Sequence, residues 1–206
     1  MLTVGLTGGL ASGKTFIASC FQEFDAHVIH ADKLGHETLA RDGEAYDEVV
    51  AAFGGGILHE DGSINRTTLG ATVFDNPEQL EKLNNIIHPH VFRRQEAFFA
   101  QVAEVDPTGI AVVEAAIMIE IGSYKRYDRI VLAVCPLETQ IERFIKRDDA
   151  TREQALARIE HQMPLEEKRR YADEIIDTTG SFDETRELAR AVYVKLGTEA
   201  RSCASS

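Results

Sequence analysis

The sequence GGLASGKT at residues 8–15 constrains this chain more than any other stretch. It fits the pattern Gly-x-x-x-x-Gly-Lys-Thr/Ser of a phosphate-binding loop, or P-loop. An apolar, strand-like run precedes it at residues 2–7, and apolar residues at helical spacing follow it from Phe16 to Phe24. Because a P-loop requires a strand, a glycine-rich loop and a helix in this order, the match is more specific than the bare pattern.

The residue types of this loop suit phosphate binding. Gly8 and Gly13 allow backbone angles that a Cβ atom would forbid, so backbone N–H groups can converge on one anion at the start of a helix. Lys14 adds a positive charge for the outer phosphates. Thr15 offers a hydroxyl to Mg²⁺, which takes few protein ligands. The alternative, a glycine-rich turn without a ligand, is disfavoured by the flanking pattern and the Lys14-Thr15 pair.

A carboxylate, Asp32, follows the next predicted strand, which is centred on Val28 and Ile29. Ligands of open α/β sheets bind beyond the carboxyl ends of the strands, so Asp32 could accept a proton from an attacking hydroxyl or hold the metal shell. The alternative is a pure N-cap for a helix from Lys33. His30 is either a neighbour of this site or a structural histidine.

Alternating strands and helices indicate the fold class. Further strands are predicted at residues 110–116, 129–134 and 172–177, and the first of these is apolar apart from Glu114. We therefore predict an α/β fold with a doubly wound, five-stranded parallel sheet. A closing helix at residues 182–196 and a frayed tail at residues 201–206 complete the chain.

Residues 33–105 show helical patterns and no clear strand. Helices are predicted at residues 44–53 and 67–74 and from Pro77 onward, where Pro89 should kink or split the last one. A substrate-binding insertion and a plain helical packing layer fit this region equally well.

Residues 138–170 are predicted to form a helical lid. The window holds eight basic and eight acidic residues, so the rest of the chain carries the whole net charge of −12. Arg143 and Arg147 lie one helical turn apart, and Thr151 with Gln154 forms a capping box that starts a second helix. Two arginine-bearing helices joined by a tight turn suit a lid that closes over phosphates. The alternative is a solvated helix pair with surface ion pairs.

Composition limits the classes of function. A chain of 206 residues suits one domain with elaborations. The acidic charge and the lack of a long basic run argue against a nucleic-acid surface. Three widely spaced cysteines indicate reduced thiols. The most apolar stretch is too short to span a membrane and no signal-peptide pattern is present, so we expect a cytoplasmic protein without a membrane partner. The oligomeric state stays open, with a monomer favoured.

The chain resembles the dephospho-CoA kinase family from about Leu2 to Leu196. The resemblance rests on a series of short motifs: VGLTGG at 4–9, VIHAD at 28–32, Asn65-Arg66, IHP at 87–89, Arg147-Asp148, Thr151-Arg152-Glu153, Ala157-Arg158-Ile159, Ala172-Asp173 and Ile176-Asp177. In combination these motifs are specific, whereas the P-loop alone would not be.

This resemblance implies ATP-dependent phosphorylation of the ribose 3′-hydroxyl of dephospho-CoA, giving CoA and ADP, with Mg²⁺. It implies one domain over residues 1–206 with a kinase core (about 1–32, 106–137 and 171–197), a helical CoA-substrate region (about 33–105) and a lid (about 138–170).

The resemblance also implies roles for individual residues. The ATP-binding positions are Gly8, Gly9, Ala11, Ser12, Gly13, Lys14, Thr15 and Phe16. The substrate-binding positions are Asp32, Arg66, His88 and Pro89. The catalytic positions are Lys14, Asp32 as general base, and Arg147 as a lid arginine at the phosphates. Thr15 is the metal ligand, and either Asp32 or Glu114 steers the metal.

The chain departs from the family pattern at several positions. Ala11 stands where Gly is usual, Thr15-Phe16 where Ser-Thr is usual, and His30 where Asp is frequent. The methyl group of Ala11 restricts the loop without blocking it, and Thr15 keeps the hydroxyl. His30 offers an imidazole in place of a second carboxylate at this position.

Two other functions stay open at this point. One is a related P-loop kinase that acts on a nucleoside or nucleotide. The other is a nucleotide-dependent switch, which would require a guanine-recognising Asn-Lys-x-Asp motif that the sequence lacks.

Overall fold

The protein is described by a computed structural model that covers residues 1–74 and 76–203. Five strands form one parallel sheet in the order β2-β3-β1-β4-β5. The strands are β1 (Leu2–Gly8), β2 (His27–His30), β3 (Ile110–Glu114), β4 (Arg129–Val134) and β5 (Glu174–Asp177). The predicted five-stranded parallel sheet is confirmed.

Nine α-helices lie in the described ranges. They are α1 (Lys14–Glu23), α2 (Ala31–Thr38), α3 (Tyr46–Phe53), α4 (Arg66–Phe74), α5 (Pro77–Val105), α6 (Leu137–Asp148), α7 (Arg152–Glu160), α8 (Leu165–Lys168) and α9 (Phe182–Cys203). None of them, within residues 1–74 and 76–203, has both the length and the apolar character needed to cross a membrane.

The chain divides into two compact units, residues 1–30 with 99–206, and residues 31–98. In the first unit, β1, β3 and β4 are buried and pack with α1 and α9, whose inward residues Ile17, Phe21 and Leu196 are fully enclosed. Such burial on both faces explains why β3 and β4 are apolar almost without interruption.

The second unit has its own apolar core. Its central residues come from the segments around α3 and α4 and from the first half of α5, namely Leu39, Ala45, Val49, Ile57, Ile64, Leu69, Val73 and Leu83. Arg94 of α5 donates hydrogen bonds to Glu37 and Glu44, which ties α5 to α2 and to the segment before α3.

The sheet register aligns the ends of three strands in the first unit. Leu6 of β1 pairs with Glu114, the last residue of β3, and Glu114 pairs with His30, the last residue of β2. Gly8 of β1 pairs with Ala133 of β4. These strand ends therefore lie side by side at the carboxyl edge of the sheet, where ligands of such folds bind.

Several boundary predictions are wrong. β3 ends at Glu114 rather than at residue 116, and β5 begins at residue 174 rather than at 172. α9 continues to Cys203, so residues 201–203 are helical rather than frayed, and residues 204–206 lie outside the described ranges.

Two predictions about helices also need correction. A kink or a split was predicted at Pro89; α5 runs unbroken through this residue, so the split does not occur. Proline lacks one N–H and removes one backbone hydrogen bond, while long helical stretches on both sides keep theirs. α2 begins at Ala31, so Asp32 lies inside its first turn and is not the N-cap.

Candidate active site

The P-loop connects β1 to α1. At its two ends, Gly8 closes β1 and Gly13 stands directly before α1 with φ of +87°. A Cβ atom on Gly8 would lie 2.4 Å from Ser12 Oγ and 2.6 Å from the carbonyl oxygen of Ala133, so only glycine fits there. The two glycines therefore hold the loop in the shape that the sequence pattern predicts.

Ala11 occupies a left-handed conformation with φ of +51°. This conformation is uncommon for a residue with a Cβ atom and stores strain of about 1 kcal/mol or more. The methyl group packs against the apolar cluster of Ile141, Phe144 and Ala155. The alanine is thus accommodated in the loop.

Polar groups of the loop are available for an anion. Ser12 is fully buried, and its hydroxyl has no hydrogen-bond partner among the described residues. The Lys14 ammonium donates to the carbonyl oxygens of Gly9 at 2.7 Å and Gly8 at 3.4 Å, which keeps the charge over the loop. A buried hydroxyl, an ammonium group and a helix N-terminus at one place are the groups that bind phosphate.

Thr15 is joined to the end of β3. Its hydroxyl donates to Glu114 Oε1 at 2.8 Å, and the other carboxylate oxygen of Glu114 contacts His30 Nδ1. The Glu114 side chain is 11% exposed, whereas that of His30 is 41% exposed. The structure thus links a P-loop hydroxyl, a nearly buried carboxylate and a histidine on three different elements of the first unit.

A second set of hydrogen bonds supports the loop from the side of β5. The Arg143 guanidinium of α6 donates to Thr178 Oγ1 at 2.9 Å and to the Thr178 carbonyl oxygen at 2.6 Å. The Thr178 hydroxyl in turn donates to the carbonyl oxygen of Ser12 at 2.9 Å. Arg143 therefore positions the loop through Thr178.

A cavity of about 640 Å³ opens beside Gly13. The rings of Phe16 and Phe182 lie 4.8 Å apart at this cavity. Its lining consists of Gly13, Phe16, Arg143, Lys146, Arg147, Thr178, Gly180, Ser181, Phe182 and Thr185. Aromatic rings, backbone groups and basic side chains around this volume suit a flat heterocycle that carries phosphate.

Arg147, the predicted lid arginine, lines this cavity. Its guanidinium donates to Asp148 at 2.8 and 2.9 Å and lies 5.6 Å from the ring centroid of Phe144. The hydrogen bond to Asp148 raises the pKa of Arg147, so the group stays charged. The capping box of Thr151 and Gln154 at the start of α7 is present as predicted.

A buried ion pair lies after β3. The side chain of Lys168 in α8 is fully buried and donates to the carbonyl oxygen of Ala116 at 2.8 Å and to Glu120 at 2.8 Å. Glu120 also accepts from the backbone N–H of Met163. Burial lowers the pKa of Lys168, while Glu120 opposes that shift. These bonds attach the segment after α7 to the segment after β3.

The predicted site residues fall into the two units. The predicted ATP-binding positions of residues 8–16 lie in the first unit, where Gly13 and Phe16 line the same cavity as Arg147. The predicted substrate positions lie in the second unit, with Asp32 exposed in α2, Arg66 at the start of α4, and His88 and Pro89 inside α5. Burial lowers the pKa of His88.

Sequence reasoning missed the supporting roles of three residues, Arg143, Thr178 and Lys168. Arg143 was noted for its spacing, but its bond to Thr178 has no local signal because the two lie 35 residues apart. Lys168 belongs to a run of three basic residues that is typical of a solvated surface, yet it is fully buried.

The strand order and the P-loop after the first strand define the chain as a P-loop kinase in fold and site. A family model described as dephospho-CoA kinase matches residues 2–184. The chain is 39% identical to a dephospho-CoA kinase of Aquifex aeolicus over 196 residues, which cover 95% of this chain and 98% of that protein. It therefore belongs to the dephospho-CoA kinase family.

Two solved structures resemble the whole chain. The crystal structure of TT1252 from Thermus thermophilus has a TM-score of 0.80 and 29% identity, covering 95% of this chain and 97% of that one. A dephospho-CoA kinase from Campylobacter jejuni has a TM-score of 0.59 and 25% identity, covering 94% and 96%.

Proposed function

We propose that this chain transfers the γ-phosphoryl group of ATP to the ribose 3′-hydroxyl of dephospho-CoA, giving CoA and ADP. The observation that carries the proposal is a complete P-loop, with Lys14 over the loop and a buried Ser12 hydroxyl free for a phosphate oxygen among the described groups, in a member of the dephospho-CoA kinase family. Phosphoryl transfer needs placement and charge neutralisation more than covalent help from the protein, and this loop supplies both.

The residues around Thr15 fit Mg²⁺. When bound, this ion neutralises charge on the phosphates of ATP. Mg²⁺ takes few protein ligands, and a threonine hydroxyl backed by a carboxylate is a suitable donor. Of the two carboxylates considered for steering the metal, Glu114 is favoured because it holds the Thr15 hydroxyl at 2.8 Å.

The cavity beside Gly13 is proposed to hold the base of ATP. Phe16 and Phe182 offer aromatic faces, and Arg147 offers a guanidinium plane at the same cavity. Stacking of this kind binds a heterocycle without requiring a particular hydrogen-bond pattern. Closure of the predicted lid, residues 138–170, would bring the Arg147 charge to the phosphates.

The acceptor is proposed to bind through residues 33–105. Asp32 is assigned as the general base because it is exposed in the first turn of α2, directly after β2. Arg66, His88 and Pro89 are assigned to substrate binding, and the lowered pKa of His88 keeps its imidazole neutral near pH 7. The roles of these four residues rest on the family motifs.

The test is an ADP-release assay at fixed ATP and Mg²⁺. Release should require dephospho-CoA, and the product should carry a 3′-phosphate. Faster turnover of nucleoside monophosphates than of dephospho-CoA would decide for a nucleotide kinase. Release of ADP that is independent of any acceptor hydroxyl would decide for a nucleotide-dependent switch.

We also propose that the protein acts as a monomer in the cytoplasm. ATP, the proposed co-substrate, is abundant there, and the P-loop, the cavity beside it and their supporting residues come from one chain. Light scattering of the purified protein at micromolar concentration checks the monomeric state, and cell fractionation checks the cytoplasmic location.

A further inference from the structure

We infer that His30 is a positioning residue for the metal site: it holds Glu114 in the orientation in which Glu114 accepts a hydrogen bond from the Thr15 hydroxyl. This inference rests on the proposed binding of Mg²⁺ with ATP at Thr15. It concerns the residue behind the site and assigns no contact between His30 and the metal.

The geometry places His30 at one end of a short relay. His30 Nδ1 contacts Glu114 Oε2, and Glu114 Oε1 accepts from Thr15 Oγ1 at 2.8 Å. His30 and Glu114 are also directly opposed in the register of β2 and β3. Each carboxylate oxygen thus has its own partner, which stops the carboxylate from turning about its terminal bond.

The orientation of the Thr15 hydroxyl depends on this carboxylate. A hydroxyl has one hydrogen and two lone pairs, so a hydrogen directed at Glu114 leaves the lone pairs directed away from it. A cation binds through those lone pairs. When the Thr15 hydroxyl is already oriented, less of the binding free energy of the cation is lost in ordering this ligand. Residues behind a metal site change the affinity for the metal in this way.

Removal of the imidazole would free one oxygen of a side chain that is only 11% exposed. Glu114 would then reorient to find a partner for that oxygen, because a buried carboxylate oxygen without a hydrogen bond is costly. The Thr15 hydroxyl would lose its fixed acceptor. The expected consequence is weaker metal binding with little change in the binding of nucleotide alone.

The chain offers a matched control in His27. It lies on the same strand, is 35% exposed, and pairs with a carboxylate, Asp106, at 3.2 Å. Asp106 follows α5, whereas Glu114 is bonded to Thr15 of the P-loop. A general effect of removing a histidine–carboxylate pair from β2 would appear in both histidine variants, and a positioning effect would appear only at His30.

The experiment measures the dissociation constant of ATP by titration calorimetry, with and without MgCl₂, for the full chain. Mg²⁺ should tighten ATP binding in the wild type. His30→Leu should lose about 10-fold or more of this enhancement, the range seen for residues behind metal ligands, while ATP affinity without Mg²⁺ changes less than about 2-fold. His30→Asn, which keeps an N–H donor at the δ position, and His27→Leu should both resemble the wild type.

Each contrary result has a distinct meaning. Equal weakening of ATP binding with and without Mg²⁺ in His30→Leu, or a full enhancement in that variant, would overturn the inference. If Thr15→Val lost the enhancement while His30→Leu kept it, the metal site would stand and the role of His30 would fail. Absence of enhancement in the wild type would overturn both the metal proposal and this inference. If His30→Leu does not fold, loss of enhancement in His30→Asn would itself contradict the donor role.

Discussion

Asp32 is the residue on which the chemical step of the proposed reaction depends. Its side chain is exposed in the first turn of α2, and its proposed task is to orient the acceptor hydroxyl and take its proton. We expect Asp32→Asn to lower kcat by about 10²–10⁴-fold, the usual contribution of a general base, with ATP affinity nearly unchanged. Steady-state kinetics with dephospho-CoA and a binding titration with ATP measure the two quantities.

Asp42→Asn is the control for this substitution. Asp42 is an exposed aspartate of the same unit, so the same change of charge there should leave kcat within about 2-fold of the wild type. Near wild-type turnover in Asp32→Asn would contradict the assignment of Asp32 as general base. An equal loss of kcat in both variants would indicate a general effect of charge.

At the residue scale, local patterns predict residues that act through their neighbours in sequence. Gly8, Gly13 and Lys14 follow from spacing alone because one turn of chain sets their geometry. Thr15 and Glu114 are 99 residues apart, and their hydrogen bond depends on β3 lying next to β1. The spacing of residues along the sequence does not determine the order of strands in a sheet, so this hydrogen bond could not be predicted.

At the scale of elements, α6 is tied to the P-loop through the end of β5. Arg143→Met removes both guanidinium bonds to Thr178 and leaves the Thr178 hydroxyl as the remaining link to Ser12. Because hydrogen bonds to charged groups contribute about 1.5–3 kcal/mol each, we expect the free energy of unfolding to fall by about 2 kcal/mol or more without nucleotide. Urea unfolding followed by circular dichroism measures it.

The control for Arg143 is an arginine with an equally bidentate but exposed partner. Arg152 donates to both oxygens of Glu138 at 2.7 Å, and both side chains are about half exposed or more. Arg152→Met should cost less than about 1 kcal/mol, as exposed ion pairs do. Equal losses in the two variants would show that the hydrogen bonds of Arg143 contribute no more to stability than an exposed ion pair does.

α8 is held by the buried pair of Lys168 and Glu120. Lys168→Met leaves the Glu120 carboxylate, 19% exposed, without its cation, and we expect a loss of about 3 kcal/mol in the free energy of unfolding. The double variant with Glu120→Gln should recover part of it, since the amide oxygen still accepts from Met163. Arg169→Met, which breaks a pair with Glu166 that is exposed on both sides, should cost under about 1 kcal/mol.

The lowered pKa of Lys168 gives this pair a pH dependence. The folded state binds this proton more weakly than the unfolded state, whose lysine keeps a pKa near 10.5. As pH rises through the lowered pKa the folded state loses the proton first, so unfolding takes up a proton and stability rises towards pH 10.5. The stability advantage of the wild type over Lys168→Met should therefore grow as pH is raised above neutrality. A constant or shrinking difference would contradict the sign.

Strands, helices and helix caps were predictable from the sequence where a single local pattern determines them. β4, α6 and the capping box of Thr151 follow from apolar runs and capping chemistry, and all three are confirmed. Pro89 shows the limit, because the rule that proline breaks helices counts one lost bond and omits the many that remain in α5. The length of α9 beyond residue 196 likewise depends on packing, since Ala200 is fully buried.

For the whole molecule, the net charge of −12 opposes binding of ATP, itself an anion. The proposed nucleotide site offsets this repulsion with positive charge at short range: the ammonium of Lys14, the guanidinium groups around the cavity, and backbone amides at the start of α1. At physiological ionic strength distant charges are screened beyond about 8 Å, so the local groups prevail over the acidic surface.

Nucleotide binding at such a site should stabilise the folded chain through mass action. At MgATP about 100-fold above its dissociation constant the gain is about 2.7 kcal/mol, which raises Tm by about 5–10 °C in a chain of this length. Lys14→Ala at the same MgATP concentration should lose most of the shift, because the remaining loop groups bind the phosphates without their ammonium partner. Lys125→Ala, at an exposed lysine outside the site, should keep it. Since the chain has no tryptophan, calorimetry or circular dichroism serves as the readout.

The residues of the proposed nucleotide site all lie in the first unit, so the transition that shifts should be the one in which the parallel sheet unfolds. An equal shift in Lys14→Ala would mean that MgATP stabilises the fold from a place other than the P-loop.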